Sequence, residues 1–440
     1  MIQKISTANE LLAAINDQSA KVLEIQTSLL LPYSVTLPPG MTLRGMDPQK
    51  CVLSFNNGDG IGLTADNEVS NLTILAGHSH RAIFALSDRP DLGTMKLKNL
   101  TVTGQIQFLT RIGTKRAKLL VDQVDVVACD ARKYSEQPQK YGVNVYQGAF
   151  TVYNFNGDSE SLIEATLTNI SIGRKGGPVF GSGLYVSGFG DAGGKVEVDQ
   201  LTTGEIHSTG MIPYGTADMI TGGVFVVFGA HVKKAVHHGT IVTYGVNDMV
   251  LDAWGKVDSW IAEKPLVSYG PSGIGFVNFG VVDDFEAQDK IETFGLGARG
   301  FNQYDGTIGK AKFSSITTYG DGSIGMQVSK PVGSIEVTGS VKTHGSVGAT
   351  LVKGVIMNLP ANAISVKPGG EIQQLTVHGD IHSLGKDVTS LEVEGKILSL
   401  NVENEILADN GTAIHVAKGC EIPNPERLKA RGAKGDVVRD

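Results

Sequence analysis

Ile241-Val-Thr-Tyr-Gly245, Leu266-Val-Ser-Tyr-Gly270, Ile291-Glu-Thr-Phe-Gly295, Ile316-Thr-Thr-Tyr-Gly320 and Val341-Lys-Thr-His-Gly345 are one phrase repeated at a spacing of 25 residues. A fixed period of this length means that one supersecondary unit stacks on the next, because none can bury its apolar face alone. Registering the chain at that period stacks Leu251, Phe276, Phe301, Met326 and Leu351 in one apolar column, and Leu266, Ile291, Ile316 and Val341 in another. Both columns must face inward. Thr243, Ser268, Thr293, Thr318 and Thr343 follow on the same face by strand alternation. There, small hydroxyls are expected to pass hydrogen bonds from one turn to the next. Tyr244, Tyr269, Phe294, Tyr319 and His344 then point outward. Rings on neighbouring strands, about 4.8 Å apart, stack in an offset row. Such a row is either an aromatic stripe covered by loops or a platform for sugar rings.

The remaining composition agrees with strands and turns. Gly is abundant at 56 residues, and short Val/Ile/Thr runs are broken by Gly and Asn. The expected fold is therefore all-β, a single-stranded right-handed parallel β-helix with about 25 residues per coil. The period fails twice. Gly345 to Gly385 spans 40 residues, read as one extra partial coil through Leu351–Gly370. Ile206-His-Ser-Thr-Gly210 carries the phrase 35 residues before Gly245, with the surplus near Met211–Gly222. Ala128–Tyr146 and Gly173–Pro178 read as long polar loops, and loops on a rigid scaffold commonly carry function.

The net charge of -7 is mild and no Lys/Arg stripe stands out, which argues against nucleic acid as a partner. No run of about 18 or more apolar residues predicts a membrane helix. Met1–Glu10 lacks the apolar stretch of a signal peptide, and Cys51, Cys129 and Cys420 give neither a disulfide framework nor metal spacing. A cytoplasmic location with no metal and no cofactor is the expectation. An outer surface carrying many apolar side chains for little charge predicts a homo-oligomer.

At the N-terminus, Ser6-Thr7-Ala-Asn-Glu10 before Leu11, Leu12 and Ile15 reads as a capped amphipathic helix within residues 1–20. It would cover the open edge of a β-helix spanning 21–423, leaving 424–440 as a charged tail that frays. This helix precedes Leu37-Pro-Pro-Gly-Met-Thr-Leu-Arg-Gly45, and Gly58-Asp-Gly-Ile-Gly62 and Asn71-Leu-Thr-Ile74 follow. The opening resembles the pectin-lyase-like family of right-handed parallel β-helices, in which a capping helix leads into a Leu-Pro-x-Gly-x-x-Leu-x-Gly turn. That resemblance implies a fold shared by lyases, hydrolases, epimerases, transferases and non-enzymes. The hydrolase motifs of that superfamily are out of place. Asp283-Asp284 and His237-His-Gly239 occur in reversed order, and no Arg-x-Lys follows.

The richest polar cluster lies just after the repeated Gly. It holds Asn247, Asp248 and Asp252, then Arg299, Asn302, Gln303, Tyr304 and Asp305. Asp252, Val277, Asn302 and Gln327 form an outward column, whereas Arg299 interrupts the apolar series Met249, Ile274, Ile324 and Ala349. An Arg in that position is either paired with a buried carboxylate or turned out by a local irregularity. Asp248 and Asp252 are candidate catalytic carboxylates with Arg299 as charge partner; the bland alternative is a turn Asp and a solvated Asp. A glycosidic acid/base pair needs roughly 5–9.5 Å between carboxyls. Residues four apart on a straight strand are about 13 Å apart, so the pair requires a chain that folds back. Tyr214, Asp218, Tyr244, Tyr269, Asn302, Gln303, Tyr304 and Asp305 are the candidate substrate-binding residues. The expectation is an enzyme cleaving or rearranging glycosidic bonds of an oligosaccharide or polysaccharide. The alternative is a non-catalytic carbohydrate-binding or adhesin-like solenoid.

Overall fold

The computed structural model describes residues 2–352 and 355–440. The chain is nearly all β with parallel pairing dominant, and it contains one α-helix among the described residues. It falls into two compact units. The first comprises Met1–Pro138, Tyr146–Ser208 and Phe225–Ala235; the second comprises Gln139–Val145, Thr209–Val224 and Val236–Asp440. None of the described helices is long and apolar enough to cross a membrane.

In the second unit the 25-residue period is the strand register itself. Ile241–Thr243, Leu266–Ser268, Ile291–Thr293, Ile316–Thr318 and Val341–Thr343 pair in parallel, each with the next. Leu251 pairs with Phe276, Phe276 with Phe301, and Phe301 with Met326. These side chains are fully buried, and the Phe276 and Phe301 rings stack at 5.7 Å. The hydroxyl column is buried as expected, but it is not a continuous ladder. Thr343 donates to Ser383 on the neighbouring strand, whereas the Ser268 and Thr293 hydroxyls find no partner.

Leu351 departs from the expected column. Met326 pairs instead with Ile364, and Val347–Val352 with Val355–Pro360 forms an antiparallel hairpin set apart from the parallel pairs. The surplus between Gly345 and Gly385 is thus an inserted hairpin and not a partial coil. Val341 pairs directly with Ile381 across the insertion. The physical cause is local. Val347–Val352 and Val355–Pro360 are close in sequence, so pairing them with each other costs less loop-closure entropy than pairing either with a distant strand.

In the first unit, Ala8–Asp17 is the helix. Thr7 and Glu10 complete a reciprocal capping box, and the buried Leu11 and Ala14 turn toward the strands. The helix packs against Ile2–Ile5, Leu29–Leu31 and Val35–Leu37. A strand, Ile2–Ile5, precedes it and pairs with Val22–Ile25. At the other end, residues 424–440 do not fray. Ala430–Gly432 and Gly435–Arg439 both pair in parallel with Ile406–Val416, adding main-chain hydrogen bonds that the charged composition did not suggest.

Candidate functional site

The strands carrying the polar cluster break alternation. Met249, Ile274, Arg299 and Ile324 are cross-strand partners, as are Asp252, Val277, Asn302 and Gln327. Strict alternation would bury Arg299 with Phe301. Instead Gly300 turns inward, because a Cβ placed there would lie 2.2 Å from Ile316 Cγ2; Gly275 is in the same position against Ile291 at 2.3 Å. Two successive residues, Gly300 and Phe301, therefore face the core, and Arg299 faces out beside Asn302. Glycine is required because no side chain fits between the strand and the inner Ile column.

These outward columns form one side of a cavity of about 360 Å³. The inserted hairpin supplies Leu351, Met357 and Leu359 to its wall, and Gln139–Val145 supplies Tyr141 and Val143. Tyr141 sits at φ 56° ahead of Gly142 at φ 85°, a tight reversal between short antiparallel strands. Its ring meets Trp254 at 5.4 Å and Phe279 at 4.5 Å, and Phe279 meets Tyr304 at 4.7 Å. This aromatic clamp is shared with an adjoining recess of about 500 Å³ that holds Asp218, Asp305 and Lys330. Lys330 lies 3.9 Å from Asp305.

The electrostatics of the cavity are unusual. Arg299 is only 6% exposed, and burial lowers its pKa to about 10 with no carboxylate opposing the shift. Its Nε donates to Gln327 Oε1 at 3.2 Å. Asp252 is fully buried, and neither carboxyl oxygen meets a hydrogen-bond partner. Burial pushes its pKa well above the ordinary carboxylate range, with the Trp254 indole acting in the opposite direction. Asn302 Oδ1 is likewise buried without a donor. The cavity thus presents a buried carboxyl of raised pKa, a free amide acceptor and a guanidinium against largely apolar walls. Such a set can donate a proton and bind an anion.

Asp248 lies elsewhere and is structural. It is buried, and its oxygens accept from Gly245 N–H at 2.6 Å, Gly210 N–H at 3.1 Å and the Thr221 hydroxyl at 2.5 Å. Burial still raises its pKa to about 6. With these bonds it staples three segments and has no open face for a substrate. Gln303 is also internal, accepting from Asn278 and donating to the Asp305 and Gly306 carbonyls. Tyr214 is exposed and lines neither the cavity nor the recess. Asp252, Arg299, Asn302 and Tyr304 are brought together in the cavity, and Tyr304, Asp218 and Asp305 around the recess.

The aromatic row forms as expected, with ring centroids 5.6, 5.1, 4.6 and 4.7 Å apart from Tyr244 through Tyr269, Phe294 and Tyr319 to His344. Every contact is face to face, within 19° of parallel. The faces of Tyr269, Phe294 and Tyr319 are therefore occupied by their neighbours, and only edges meet solvent. A sugar ring needs an open face, so Tyr269 is a rung of a ladder and not a platform; Tyr244 offers the next ring its face in the same way. Tyr141 and the hairpin residues are missed in the sequence because their place at the cavity depends on two insertions, whereas Phe279 stands on the repeat itself, between Trp254 and Tyr304. The available signals are the 25-residue column Trp254, Phe279 and Tyr304 and the fact that both insertions interrupt or precede the repeat.

Compared with known proteins, no family model, curated protein or solved structure matches the chain.

Proposed function

We propose that the repeats wind as a right-handed parallel β-helix of the pectin-lyase-like kind and that the cavity over Asp252 and Arg299 cleaves or rearranges a glycosidic bond of an oligosaccharide. The observation that carries this reading is the buried Asp252 carboxyl in the same cavity as a guanidinium that no carboxylate neutralises. A carboxyl whose pKa is raised by burial is the kind of acid that glycosidic cleavage requires. In hydrolysis, Asp252 gives its proton to the leaving glycosidic oxygen as the bond from the anomeric carbon breaks. Water adds to that carbon, and Asp218 or Asp305, from the recess across the aromatic clamp, takes the second proton. Arg299 holds negative charge on the bound molecule and orients it. Asn302 and Tyr304 supply hydrogen bonds to hydroxyls.

A non-catalytic binding module is the second reading. What favours it is that Asp252 is the sole carboxylate among the residues lining the cavity itself. A homo-oligomer in the cytoplasm belongs to the same proposal, and light scattering that returns only the 46.5 kDa monomer removes the first part. A panel of oligosaccharides and nitrophenyl glycosides, followed for product from pH 4 to 9, separates enzyme from binder. The enzyme reading expects turnover that falls as pH rises through the raised pKa of Asp252. Binding without turnover at any pH supports the module.

A further inference from the structure

The cavity is poorly built for a bare sugar. Its walls are Met249, Ile274, Val277, Leu351, Met357 and Leu359, side chains that offer a hydroxyl nothing. Its polar groups are few and unevenly placed. Arg299 and Gln327 are hydrogen-bonded together on one side, and Asp252 lies two strands from Arg299, roughly 10 Å at about 4.8 Å per strand. The adjoining recess is more polar, with Asp218, Asp305 and Lys330 around the shared Tyr141 and Tyr304. An apolar chamber that holds a buried cation and shares Tyr141 and Tyr304 with a more polar recess suits a two-part ligand.

We propose that the cavity takes a small carboxylic acid with an apolar, aromatic-sized body, carried as the non-sugar part of a glycoside. The carboxylate lies on Arg299, which is nine-tenths buried and has no carboxylate of its own. A buried guanidinium without a counter-charge costs stability unless a ligand supplies one, and charge-assisted bonds in an apolar enclosure are strong. The body packs on the apolar walls, and the hairpin closes one side of it. The sugar half extends past Tyr141 and Tyr304 into the recess, where hydroxyls meet Asp218 and Asp305. Only this sugar half rests on the glycosidic reading above; the acid half does not.

Calorimetric titration of the full chain tests it with 3-phenylpropionate and its neutral isostere 3-phenylpropanamide. The acid is expected to bind at least about tenfold more tightly, and Arg299→Met to bring the two within about twofold. Arg299→Gln, which keeps a polar group of similar reach, is the second variant. If neither variant folds by circular dichroism, the acid-against-amide comparison on the wild-type chain still decides. Equal affinity for acid and amide, or no binding of either at millimolar concentration, overturns the proposal. The β-D-glucoside of 3-(4-hydroxyphenyl)propionate provides the second arm. If it binds but is not cleaved while the acid preference holds, the glycosidic reading fails alone.

Discussion

Phe301→Ala tests the register on which the site is built. Phe301 has no exposed surface. Its ring stacks on Phe276 at 5.7 Å and tilts against Phe313 at 5.1 Å, and its main chain is paired with Phe276 on one side and Met326 on the other. Truncating a buried Phe costs about 3–5 kcal/mol, depending on how far the surroundings collapse. Here ladders on both flanks hold the strand and restrict collapse, so we expect about 4 kcal/mol. Tyr269→Ala is the matched control in the aromatic ladder. It loses stacking on Tyr244 and Phe294 but starts half exposed, which gives about 2 kcal/mol from two ring contacts of about 0.5–1.5 each. Urea denaturation followed by circular dichroism measures both, with the m-value as a check that the same transition is compared. A loss under about 1 kcal/mol for Phe301→Ala, or a larger loss for Tyr269→Ala, would show that the inward column is misassigned.

Thr221→Val removes the hydroxyl that donates to Asp248 and should cost about 1.5–3 kcal/mol in the same assay, as for a bond to a charged group. The Asp248 pKa is raised on folding to about 6, so the stability tied to its protonated form is fully present below the ordinary value and lost as pH rises through about 6. Stability should therefore fall by roughly 3 kcal/mol between pH 4 and pH 7, and Asp248→Asn should flatten that slope when melts are compared at the two ends. His378 lies between Glu403 at 2.8 Å and Glu336 at 3.3 Å, with Glu403 chiefly raising its pKa. Its contribution is present below about 6.5 and lost as pH rises through the raised value, so His378→Gln should lower Tm more at pH 6 than at pH 9.

Much of the fold was legible because a repeat states its register openly. The five Gly-ended phrases place Leu266 over Ile291 and Tyr269 over Phe294, and the structure pairs them so. The site was less legible, for three physical reasons. Arg299 was flagged as an anomaly, but its direction depends on Gly300 turning inward, which breaks the two-residue period that strand reading assumes. Asp248 and Asp252 look equivalent in sequence, yet one is saturated by Gly210, Gly245 and Thr221 and the other is left without a partner. That contrast arises from segments distant in the chain. The hairpin at 347–360 and Tyr141 enter the cavity through insertions, whose position no periodicity encodes.

The most direct measurement is turnover of the best substrate from the glycoside panel by wild type, Asp252→Asn and Thr221→Val side by side, each shown to be folded. General acid catalysis contributes about 10²–10⁴-fold, so Asp252→Asn should lose at least about a hundredfold in kcat while Thr221→Val, which weakens only the Asp248 staple, keeps wild-type kcat. An Asp252→Asn variant that turns over at the wild-type rate would contradict the assignment of this cavity as the reacting site.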